Sequence, residues 1–100
     1  MRRVLSQRRA SETFDLRFWN QSFSVSVGFY PDGMIGEVFV DSRKNGGDVE
    51  AIARDAAVML SLALQHGTHI ETIRCAVTRG SRSEAASILR AVVNYISGAR

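Results

Sequence analysis

One hundred residues, 45% of them hydrophobic, with 13 Lys/Arg against 10 Asp/Glu and a single cysteine, describe one small domain. Such a chain is too apolar to be disordered and long enough to bury a core without covalent staples. Its composition excludes a disulfide framework and a cysteine-based zinc site within the chain.

No apolar run approaches the roughly 18 residues that a membrane span needs. The longest, Ala56 to Leu64, is interrupted by Ser61. The arginines at the start are followed by no apolar stretch, so they do not read as a signal peptide. The expected location is a reducing cytoplasm, with no membrane contact.

The net charge of +3 is unevenly placed. Residues 1–10 hold Arg2, Arg3, Arg8 and Arg9 and no acid, whereas the other ninety residues carry nine Lys/Arg and ten Asp/Glu. Residues 1–10 therefore read as a flexible basic arm, and residues 11–100 as a single folded domain. The arm is either a solvated terminus or an electrostatic contact for nucleic acid or an acidic partner.

Phe14, Leu16 and Phe18 alternate with Asp15, Arg17 and Trp19. Phe23, Val25, Val27 and Phe29 alternate with Ser24, Ser26 and Gly28. This period of two predicts two strands with one apolar face each. Asn20-Gln21-Ser22 is short enough for a hairpin. Pro31-Asp32-Gly33 predicts a type I turn closed by a left-handed glycine, and a third strand over about 34–41 completes a meander.

After the loop 42–47, Asp48 is placed to cap a helix. Val49, Ile52, Ala53, Ala56, Met59, Leu60, Ala63 and Leu64 form its apolar stripe, with Glu50, Arg54, Ser61 and Gln65 on the polar side. Val58 and Leu62 fall outside that stripe. The helix must therefore be covered on more than one side, by other helices or by a second subunit. His66-Gly67 ends it, and Thr68-x-x-Glu71 reads as the capping box of a second helix that ends at Arg79-Gly80. Ser83 is placed to cap a third, with Ala85, Ile88, Leu89, Val92, Val93 and Ile96 inward. The fold class is α+β: a three-stranded antiparallel meander followed by about three helices packed on one face.

No catalytic or metal-binding set can be assembled from these residues. His66 and His69 straddle a helix break and read as cap-region histidines. Cys75 reads as a small buried hydrophobe. The loop around Gly46 and Gly47, flanked by Arg43 and Lys44, could cradle an anion with its backbone N–H groups, yet it lacks the phosphate-loop pattern. Trp19 and Tyr30, on the parity opposite to the apolar positions, suggest an exposed contact surface together with Val58 and Leu62.

Several stretches carry a family resemblance. They are Arg9-Ala-Ser-Glu-Thr-Phe-Asp-Leu16, Val27-Gly-Phe-Tyr-Pro-Asp-Gly33, Gly36-Glu-Val-Phe-Val40 and Gly47-Asp-Val-Glu-Ala-Ile-Ala-Arg-Asp-Ala-Ala-Val58. The pattern continues through Leu60-Ser-Leu-Ala-Leu-Gln-His-Gly67, Glu71-Thr-Ile-Arg74 and Ala76-Val-Thr-Arg79. Together they resemble a TSCPD-type domain, found at the C-terminus of vitamin B12-dependent ribonucleotide reductases and in small stand-alone bacterial proteins. The chain departs from the family at the Thr-Ser-Cys-Pro-Asp motif, which is absent with its cysteines, so the resemblance implies neither zinc nor another cofactor. It implies a non-catalytic accessory or interaction module, regulatory in character and linked to nucleotide reduction, with a protein partner or a second copy as its target. The alternative is a small nucleic-acid- or nucleotide-binding protein using the arginine arm and the Arg43/Lys44 loop.

Overall fold

A computed structural model describes residues 1–18, 21–42, 48–77 and 87–97. Three strands, β1 (Ser11–Phe18), β2 (Gln21–Phe29) and β3 (Ile35–Ser42), precede three helices, α1 (Asp48–Gln65), α2 (Ile70–Ala76) and α3 (Ile88–Ile96). The strands form one antiparallel sheet in the order β1-β2-β3, pairing Phe14 with Val25 and Val25 with Val40. This is the expected α+β meander.

The alternation places Phe23, Val25 and Val27 on one face with Val38 and Val40. Ala53, Ala57 and Leu60 of α1 and Ile88, Val92 and Val93 of α3 close over that face. At the β1 side, Phe14 stacks on Tyr95 with ring centroids 4.1 Å apart. The opposite face of the sheet carries the hydroxyls: Thr13 and Ser26 bond across β1 and β2 at 3.0 Å.

Local chemistry sets the corners. Gly33 has φ 88° and donates its N–H to the Tyr30 carbonyl at 2.8 Å, while Tyr30 donates to the Met34 carbonyl at 2.8 Å. The Oδ1 of Asp32 accepts from the Met34 N–H at 2.9 Å. That bond, and secondarily Arg3, hold the Asp32 carboxyl below its ordinary value. Gly67, with φ 97°, ends α1 in a Schellman pair: Gly67 donates to the Leu64 carbonyl at 3.1 Å and Thr68 to that of Ala63 at 3.0 Å.

Several expectations need correction. Ile52 and Met59, placed in the buried stripe of α1, are 64% and 66% exposed. Ser61 and Gln65, placed on the polar side, instead face the sheet edge. α2 starts one residue later than the capping box predicts: His69 is its N-cap without a side-chain bond, and Glu71 pairs with Arg74. α2 also ends earlier, at Ala76. Ser87 caps α3, accepting from the Arg90 N–H at 3.1 Å. Cys75 is exposed, because α2 buries none of its residues. The side chain of Asp48 and the predicted features at Ser83 and at Arg79-Gly80 lie outside the described residues.

Candidate functional site

β3 is an edge strand, and α1 runs along its edge. The Val38 N–H donates to Ser61 Oγ at 2.8 Å, and that hydroxyl lies 3.1 Å from the Val38 carbonyl oxygen. Gln65 Nε2 donates to the Gly36 carbonyl at 2.9 Å, and the Ser42 N–H donates to Glu50 Oε2 at 3.3 Å. Alternate strand residues point outward about 6.7 Å apart, and one helical turn of four residues advances about 6 Å. A polar stripe along a helix can therefore satisfy a strand edge that would otherwise recruit another strand.

With one side of α1 turned to the sheet edge and another to the core, the remaining arc faces outward. It carries Ile52, Val58, Met59 and Leu62, exposed by 64%, 56%, 66% and 37%. Phe39, on the open face of the sheet, is 54% exposed. Phe39, Val58 and Leu62 line a groove of about 560 Å³ floored by Val38 and Ala57. Large contiguous apolar patches on a protein surface are found at interaction sites, ligand grooves and aggregation-prone faces.

The first ten residues make specific bonds to the rest of the chain. Arg2 Nε donates to Gln65 Oε1 at 2.5 Å, and the Arg3 N–H donates to the Gln65 carbonyl at 2.7 Å. The Tyr30 hydroxyl donates to the Arg3 carbonyl at 2.6 Å. The Arg3 guanidinium sits 3.8 Å above the Tyr30 ring and 3.0 Å from Asp32 Oδ2. Arg9 grips Glu37 with two donors, from Nε and, at 3.1 Å, from Nη2. Arg8 is exposed.

Tyr30 is therefore not an exposed aromatic. It is 5% exposed, because the register shift between Gly28 and Phe29 breaks the alternation that placed it on the open side. Val58 and Leu62 lie on the exposed arc of α1. Trp19, Arg43, Lys44, Gly46 and Gly47 lie outside the described residues. His66 and His69 are exposed at the rim of a cleft of about 650 Å³ that also takes in Arg3, Leu64 and Ile70. Among the described residues, no group of three or more His, Cys, Asp or Glu could hold a metal ion. No helix among them is long and apolar enough to cross a membrane.

The sequence reading missed Glu37, Ser61 and Gln65 as structural contacts. The signal was present as a polar stripe, Glu50, Arg54, Ser61 and Gln65, recurring at helical spacing. Gly28 was missed as well. A Cβ there would lie 2.7 Å from Glu37 Cγ and against its carboxylate. Gly28→Ala should push Glu37 away from Arg9, at a cost of about 1–3 kcal/mol in urea unfolding. Trypsin should then cut faster after Arg9, and Arg9→Ala should add little in that background, since both changes break one bridge.

The three strands and three helices define a small α+β domain with an exposed apolar arc on α1. Residues 3–97 match the TSCPD domain family, and the chain belongs to it. It is 33% identical over 70 residues to the vitamin B12-dependent ribonucleotide reductase of Agrobacterium fabrum, covering 70% of this chain and 6% of that protein. It is 33% identical over 72 residues to the protein of the same name from Rhodopirellula baltica, covering 72% of this chain and 7% of that one. The chain thus corresponds to a small fraction of either relative's length. No solved structure gives a significant match.

Proposed function

We propose that this TSCPD domain is a non-catalytic accessory module that works by docking through the outward face of α1, in the setting of ribonucleotide reduction. One observation carries the reading: Ile52, Val58, Met59 and Leu62 stand exposed on a helix whose other sides are already occupied by core and sheet edge. Leaving them in water gives up burial free energy of about 25 cal/mol per Å² that a partner would recover. The setting is suggested by the relatives, whose names state a ribonucleotide reductase. The nucleic-acid alternative has less support, since Arg2, Arg3 and Arg9 are bonded within the chain.

The test joins light scattering of the isolated protein with titration against a vitamin B12-dependent ribonucleotide reductase. The wild type should associate with itself or with the reductase, and Met59→Lys/Leu62→Lys should lose that association while melting normally. A monomer that ignores the reductase, or a double variant that associates as well as wild type, would sink the reading.

A further inference from the structure

The outward residues of α1 form a regular seam. Ile52, Asp55, Met59, Leu62 and His66 follow one another at steps of three, four, three and four residues. This is the repeat by which two helices pack side by side. All five are exposed. His66 continues the helical path, donating its N–H to the Leu62 carbonyl at 3.0 Å. At 1.5 Å per residue the seam is about 21 Å long. Its two polar members are complementary: Asp55 offers carboxylate acceptors, and His66 an imidazole N–H donor. Neither side chain has an ion-pair partner among the described residues.

We infer that the partner of this face is a second copy of the chain, paired antiparallel along α1 about a two-fold axis that passes between Met59 and Leu62. The inference rests on the docking reading above and names its occupant. Charge selects the arrangement. Parallel helices would set Asp55 against Asp55 of the second copy, a like-charge contact. An antiparallel axis at residue 57 would set Asp55 against Met59 and bury an unpaired carboxylate. The axis between 59 and 62 sets Met59 on Leu62 of the second copy and Asp55 on its His66. Symmetry repeats each contact, so the apolar centre is flanked at both ends by an acid–imidazole pair. Val58, beside the seam, extends the apolar contact towards Phe39.

The test is a charge swap read by sedimentation equilibrium. Asp55→His and His66→Asp, made singly, should each weaken self-association at least tenfold by placing like groups together. The double swap should restore it. Restoration cannot come from monomer stability, because the double variant carries both helix substitutions. Register is read by cysteine pairing in a Cys75→Ala background. A mixture of Met59→Cys and Leu62→Cys chains should form the mixed disulfide in preference to either homodisulfide. A wild type that stays monomeric at several hundred micromolar overturns the inference. If Met59→Lys/Leu62→Lys then still abolishes reductase binding, the docking reading survives alone. If it changes nothing, both fall. A dimer indifferent to the single swaps, or a prevailing Met59→Cys homodisulfide, overturns the antiparallel register.

Discussion

Arg90→Met should lower the unfolding free energy by about 2–3 kcal/mol, although it keeps most of the side chain's bulk. Arg90 is 3% exposed on α3. Its Nη1 donates to the carbonyl of Arg74 and, at 3.4 Å, to that of Val77. These carbonyls belong to the C-terminal end of α2, where the helix presents its negative pole and has no further N–H groups of its own to offer. α2 has seven residues and buries none of them. A helix this short is not stable alone, so its position depends on what holds its end. The guanidinium supplies both the donors and the positive charge, and it ties α2 to the helix that fills the core with Val92 and Val93. Methionine would remove the guanidinium donor from both carbonyls, at about 1–3 kcal/mol for each group left unsatisfied. The loss is moderated because Arg90 Nε has no hydrogen-bond partner among the described residues, so the arginine's own desolvation is incompletely offset. Urea unfolding monitored by circular dichroism measures the total. Hydrogen exchange should place the loss locally, with amides at the end of α2 becoming unprotected before those of β2. Equal stability of Arg90→Met and wild type would mean that water replaces the guanidinium at no cost and that α2 is held by other contacts.

Arg90 also shows where reading the sequence stopped. The strands, the Pro31-Asp32-Gly33 turn and the Gly67 cap were legible because each is decided within a few residues, by alternation or by a left-handed glycine. The roles of Arg90, Gln65 and Glu37 are decided by partners 13 to 63 residues away. Polarity alone assigned Gln65 to the outer side of α1, yet an edge strand needs donors and acceptors as much as a core needs methyl groups. The same edge displaced the apolar stripe. Once Ser61 and Gln65 turn inward, Ile52 and Met59 must turn outward, so an error about two polar residues became an error about two apolar ones. The helical wheel placed Val58 and Leu62 outside the apolar stripe, in need of a cover, and both are exposed. Ile52 and Met59, which complete the seam, required knowing where the sheet edge lay.

Gly36→Ala should cost about 3 kcal/mol, the upper part of the range for an overpacked site. A Cβ at Gly36 would lie 2.6 Å from Tyr30 Cε2, 2.8 Å from Tyr30 Cζ and 2.8 Å from Leu5 Cδ2. The ring has little freedom to retreat. It is buried, its hydroxyl is held by the Arg3 carbonyl, and the Arg3 guanidinium covers it from above. The Gly36 carbonyl is meanwhile bound by Gln65, which itself holds Arg2 and Arg3, so β3 cannot shift without loosening α1. One methyl group therefore sets the arm, the turn and the sheet edge in competition for the same space. A double-mutant cycle with Tyr30→Leu separates this from a general intolerance of alanine in β3. Without the ring, the alanine should cost at least 1 kcal/mol less, and the coupling should have the sign of relieved overpacking. In the single variant, trypsin should cut after Arg2 and Arg3 well before the domain unfolds, because the cheapest relief is release of Leu5 and its neighbours. An additive cycle, or an arm as resistant as that of the wild type, would show that Gly36 is needed for β3 alone and that Tyr30 does not clasp the arm.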